Sequence, residues 1–109
     1  MFINIKTAEE VASEKSANES KALESLYKSA LDAHLNSKAD ERGYDSIHTA
    51  ALRAAVSMSP FHAEGVAYAI WMDDCYQFGY QVLADVKSGA IPLPTVEEFI
   101  ASLPILELP

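Results

Sequence analysis

The sequence predicts an all-α fold: an antiparallel bundle of about three main helices, a short C-terminal helix and a short N-terminal strand or arm. Three observations carry this. Apolar residues recur at three-and-four spacing over two long stretches, from Leu23 and from Tyr68. Thr7 with Glu10, and Thr95 with Glu98, are capping-box pairs that open helices. Gly43 and Gly89 stand where those helices should stop. With 109 residues, the chain makes one domain. It divides into a lead-in over 1–20, a bundle over 21–104 and a tail over 105–109.

"FINIK" at the start alternates apolar and polar residues, the pattern of a short strand or extended arm. Thr7 then caps a first helix near Ala8. Its opening stretch, "EEVASEKSANES", holds almost no large apolar group. It reads as a solvated helical lead-in, or as an arm that packs when another subunit lies beside it. From Leu23 the stripe Leu23, Leu26, Tyr27, Ala30, Leu31, His34 and Leu35 gives the helix a core face. Gly43 ends it, because glycine tolerates the left-handed conformation beyond a helix C-terminus. Asp45 is the expected N-cap of the next helix, "SIHTAALRAAVSM". Tyr44, between the two helices, is expected to lie across their joint, with ligand contact as the second role.

Ser59–Pro60 is a further start signal, Ser as cap and Pro in the first turn. The helix it opens should reach Ser88. Tyr68, Trp71, Cys75, Phe78 and Val82 form its stripe, widened by Val66, Ile70, Met72, Tyr76, Leu83 and Val86, the breadth of a deeply buried helix. Gly65, Ala67, Ala69 and Gly79 offer small sites where another helix comes close. "AIPLP" is an extended connector, since proline lacks the amide donor a helix needs. "VEEFIAS" follows as the short last helix. "LPILELP" is apolar and proline-bounded, and either packs back on the bundle or serves as a docking tail.

Charge narrows the function. The formal net charge is −8; residues 58–109 hold seven acids and only Lys87 as a Lys or Arg. A nucleic-acid groove needs clustered cations to displace counterions from phosphates, so no nucleic-acid partner is expected. Apolar runs break well short of the roughly 18 residues of a membrane span, and "MFINIKTAEE" lacks the basic lead of a secretory leader. Cys75 is the single cysteine, which precludes an internal disulfide and fits a reducing compartment.

The chemistry-bearing residues are sparse. His34, His48 and His62 fall on separate elements, and none has a second ligand at i+3 or i+4, so no metal site and no cofactor are expected. Asp73 and Asp74 are adjacent on a helix and point about 100° apart, a poor acid–base pair. Cys75 sits on the apolar stripe and reads as a small buried hydrophobe. No phosphate loop, nucleophile elbow or paired-cysteine motif occurs, and no enzymatic activity is expected. Aromatic residues are enriched at interface hot spots. Tyr76 and Tyr80 flank the polar strip that carries Asp73 and Gln77, and these four with Tyr44 are the candidate partner-binding residues.

"ERGYDSI", "PFHAEGVAYAIW", "YQVLADVKSG" and "PTVEEFIASLP" together resemble small proteins of tailed bacteriophages and prophages, encoded in the tail module near the tail-fibre gene. The likeness spans residues 22–104 and departs from the family pattern at the short "SMSP" connector. It implies a virion component, and the first reading is a tail or tail-fibre-associated adaptor that binds another tail protein and is expected to be homo-oligomeric through its long first helix. It equally implies an alternative, an assembly chaperone that acts in the host cytoplasm and leaves. A small metal-dependent enzyme ranks last.

Overall fold

A computed structural model describes residues 7–109. Among them the fold is all-α: α1 (Ala8–Asp40), α2 (Ile47–Leu52) continued by one 3-10 turn (Arg53–Ala55), α3 (His62–Ser88) and α4 (Val96–Ser102). The expected strand over "FINIK" lies outside the described residues. No described helix is long and apolar enough to cross a membrane.

Both capping boxes form. The Thr7 hydroxyl accepts from the Glu10 amide at 3.1 Å while the Glu10 carboxylate accepts from the Thr7 amide; Thr95 and Glu98 repeat the arrangement at α4. Gly43 and Gly89 adopt φ of +85° and +79°, the left-handed values that let the chain leave α1 and α3.

Three expected boundaries move. Ser46, not Asp45, caps α2: its hydroxyl accepts from the Thr49 amide, and Asn36 of α1 accepts from the Ile47 amide at 2.9 Å. The second helix stops at Leu52 rather than reaching Met58. The chain continues as the 3-10 turn, and Gly65 of α3 packs so closely on that turn that an added Cβ would lie 2.5 Å from the Ala54 amide nitrogen. The third helix starts at His62, two residues beyond Pro60. Ser59 and Pro60 instead form a preceding turn, in which Ser59 accepts from the Phe61 amide through its hydroxyl and from the His62 amide through its carbonyl.

α1 and α3 run antiparallel, as three cross-links require. Lys87 pairs with Glu24 at 2.8 Å, Tyr76 donates to Asp32 at 2.7 Å, and Arg42, two residues beyond the end of α1, pairs with Glu64 at 2.9 Å. Partner numbers rise along and just past α1 as they fall on α3. The buried core lies along this seam: Leu31, Leu35 and Ala39 of α1, Ile47 and Ala50 of α2, Tyr68, Trp71 and Cys75 of α3, then Phe99 and Leu103. Cys75 is fully buried, and that burial, with Asp74 nearby, pushes its thiol pKa up to about 11.

The tail packs back on the bundle. Trp71 donates its indole N–H to the Pro104 carbonyl at 2.7 Å. Leu103 is buried, Leu106 and Leu108 half-buried, while Ile105 is 86 % exposed, the alternation of an extended strap with one face inward. At the other extreme, residues 8–22 of α1 are exposed throughout. The radius of gyration, 19.1 Å, far exceeds the roughly 13 Å of a compact 100-residue domain. A projecting helix accounts for it.

Candidate functional site

Between α1 and α3, an apolar slot opens where the last helix fails to cover the seam. α4 is seven residues long and contributes one fully buried side chain, Phe99. Phe99 packs edge-on against Tyr27 at 5.5 Å and stacks on Phe78 at 6.1 Å, forming the base. Gly79 stands beside it without a side chain; a Cβ there would meet Leu31 and Phe99 only at ordinary contact distances of 3.5 and 3.6 Å. The Tyr27 hydroxyl donates to the Pro94 carbonyl and fixes the connector at the edge. Two adjoining hollows of about 120 and 150 Å³ result, lined by Leu23, Tyr27, Tyr80, Leu83, Val86 and Leu93 among others.

The candidate partner-binding residues divide around this slot. Tyr76 and Tyr80 border it, one turn apart on α3. Tyr76 is half-buried and anchored to Asp32; burial, together with the bond to Asp32, pushes its pKa up to about 12. Tyr80 is 70 % exposed and has no hydrogen bond among the described residues. Asp73 and Gln77 lie on the exposed side of α3, joined by a 2.6 Å bond from the Gln77 amide to the carboxylate. Tyr44 is not part of this group. It packs edge-on against Tyr68 at 5.6 Å and donates to Glu64 at 2.7 Å, so it braces the corner against α3 rather than spanning the α1–α2 joint alone. That bond to Glu64, more than burial, raises the Tyr44 pKa.

The apolar stripes of the sequence put Leu23, Leu83 and Val86 on core faces, yet Leu23 is 44 % exposed and the other two are only half-buried. The sequence itself carries the reason: "VEEFIAS" supplies Phe99 and Ile100 as its large apolar residues besides Val96, too few to roof the broad α3 stripe.

A second cleft, of about 540 Å³, lies between the C-terminal part of α1 and the tail. His34, Lys38 and Arg42 line one wall; Trp71, Leu106 and Leu108 line the other. Its cations are already engaged, Lys38 with Glu41 at 3.5 Å and Arg42 with Glu64 at 2.9 Å. His34 meets the Trp71 ring edge-on at 5.9 Å, and burial, aided by Lys38, holds its pKa below the usual value. His48 is exposed on α2, and His62 is half-buried at the start of α3. Among the described residues no group of three or more His, Cys, Asp or Glu side chains lies close enough to hold a metal ion.

Comparison of the chain with protein-family models, curated proteins and solved structures finds no match.

Proposed function

We propose that this protein is a non-enzymatic phage structural protein, a tail or tail-fibre-associated adaptor that acts by binding another protein. The observation that carries the reading is the open apolar slot between α1 and α3, with Tyr80 standing 70 % exposed on its rim. Shallow apolar surface of this kind, bordered by tyrosine, suits a side chain or short ridge from a partner. The sequence likeness to tail-module proteins supplies the biological setting.

The charged residues that line the slot, Glu24, Lys28 and Lys87, are paired within the chain, Lys87 with Glu24 and Lys28 with Asp32, each at 2.8 Å. The hollow therefore offers a partner apolar surface, and the net charge of −8 favours a basic or apolar partner over a nucleic acid. Nothing in this reading requires a cofactor or a catalytic step. The protein resides in the virion tail, and in the host cytoplasm before assembly.

Co-expression with the neighbouring phage proteins, followed by affinity capture, tests the binding. Capture of a tail or tail-fibre protein is expected, and its loss in Tyr80→Ala places the contact at the slot. Mass spectrometry of purified virions tests the structural role. Absence from the particle overturns it in favour of an assembly chaperone.

A further inference from the structure

The exposed N-terminal half of α1 leaves a helix face with no neighbour in its own chain. At 100° per residue, Ala8, Val11, Ala12, Lys15, Glu19, Ala22 and Leu26 gather on the side turned away from the face that buries Leu31 and Leu35. Val11 and Leu26 are 52 and 53 % exposed. Neither Lys15 nor Glu19 has an ion-pair partner among the described residues. Ala8, Lys15 and Ala22 recur every seven residues, as do Ala12, Glu19 and Leu26, the spacing of a two-helix seam.

We infer that this face is occupied by the same face of a second copy, with the two α1 helices antiparallel about a two-fold axis between Lys15 and Glu19. This deepens the oligomeric side of the proposed adaptor and rests on that reading. The face complements itself in one register only when reversed. Ala8 then lies opposite the second copy's Leu26 and Ala12 opposite its Ala22. Leu26 thus meets an alanine, so large and small face each other across the seam. At the centre Lys15 faces the second copy's Glu19, and the two-fold makes the pair twice.

A parallel, in-register pair is disfavoured by the same residues. It sets Lys15 against Lys15 and Glu19 against Glu19, two like-charge contacts at the seam. The acids that would oppose the reversed register do not enter it. Glu10 and Glu24 lie toward the opposite side of the helix, Glu10 held in the capping box and Glu24 by Lys87. The remaining repulsion between copies of net charge −8 is long-range and screened within a Debye length of about 8 Å at physiological salt.

Sedimentation equilibrium of the full chain at physiological salt tests the pairing. The wild type is expected to dimerise. Lys15→Glu and Glu19→Lys should each raise the dissociation constant about tenfold or more, and the doubly exchanged K15E/E19K protein should return to near the wild-type value. Leu26→Glu, at an exposed site that leaves the bundle intact, should give a monomer of unchanged bundle stability. A wild-type monomer at roughly 100 times a micromolar concentration overturns the inference; so does a double variant no tighter than the single ones. Affinity capture of co-expressed tail proteins reports the adaptor role separately. Capture that persists with a monomeric wild type sinks the pairing alone, and a charge-dependent dimer without capture upholds the pairing while removing the adaptor.

Discussion

The Tyr76 hydroxyl donates a 2.7 Å hydrogen bond to the Asp32 carboxylate, tying the middle of α3 to the middle of α1 beside the slot. Lys28 approaches the same carboxylate at 2.8 Å. Burial works against the charged Asp32, but the two hydrogen bonds outweigh it and its pKa falls below the ordinary value. The bond therefore stabilises charge on Asp32 and neutrality on Tyr76.

That asymmetry gives a pH signature at both ends. Tyr76 ionises near 10 when unfolded and at about 12 in the fold, so its contribution is complete below pH 10 and lost as pH rises toward 12. Asp32 shifts the other way: its contribution is present above the unfolded carboxylate pKa and lost as acid protonates it in the fold. Tyr76→Phe should cost about 1 kcal/mol at neutral pH. Urea unfolding at pH 7 and pH 11 checks this, since the gap between variant and wild type should narrow at the higher pH.

Gly65 and Gly79 lie on the same helix and should respond oppositely to alanine. A Cβ on Gly65 would fall within 2.7 Å of Ala54 and Arg53 backbone atoms, so α3 and the 3-10 turn must separate. Gly65→Ala is expected to destabilise by about 2 kcal/mol, as overpacking does. At Gly79 the new methyl meets Leu31 and Phe99 at ordinary contact, and alanine's helix preference should stabilise by about 0.5 kcal/mol. Thermal melts of the two variants should bracket the wild type.

How much of this was legible beforehand differs by interaction range. The Thr7–Glu10 and Thr95–Glu98 boxes and the stops at Gly43 and Gly89 are local chemistry, and all form as read. The end of α2 is not legible locally: the helix-favouring Ala54 and Ala55 that follow Leu52 lie in a 3-10 turn, with Gly65 of α3 packed closely on it. Asp45 and Ser46 were both competent caps, and the Asn36 contact from α1 favours a start at Ile47. The sequence sets Tyr76 and Tyr80 beside the polar strip of α3; that Tyr76 is half-buried while Tyr80 is exposed is not legible there, since Tyr76 bonds to Asp32, 44 residues away. Periodicity marks a face as apolar without saying whether enough chain remains to cover it.

Trp71 is the only tryptophan, so its fluorescence reports the docking of the tail. Its indole N–H bonds to Pro104, and Leu103 is buried one residue earlier. Leu103→Ala should loosen the strap, shift the emission of Trp71 to longer wavelength as water reaches the ring, and cost about 2–3 kcal/mol. An unshifted spectrum in a folded variant would show that the strap stays docked without Leu103.

The slot and the tail are separate surfaces, and variants at the slot should affect binding without affecting folding. Tyr80 is 70 % exposed and makes no hydrogen bond among the described residues, so Tyr80→Ala removes little packing within the chain. Its stability should stay within about 0.5 kcal/mol of wild type, the usual range for a surface change. If the ring is an anchor for a partner, the same substitution should weaken capture by about 2 kcal/mol, near thirtyfold in affinity. Leu83→Glu places a carboxylate in the apolar hollow and should weaken capture further. Capture unchanged in both variants would move the contact away from the α1–α3 slot, since neither substitution could leave an occupied hollow undisturbed.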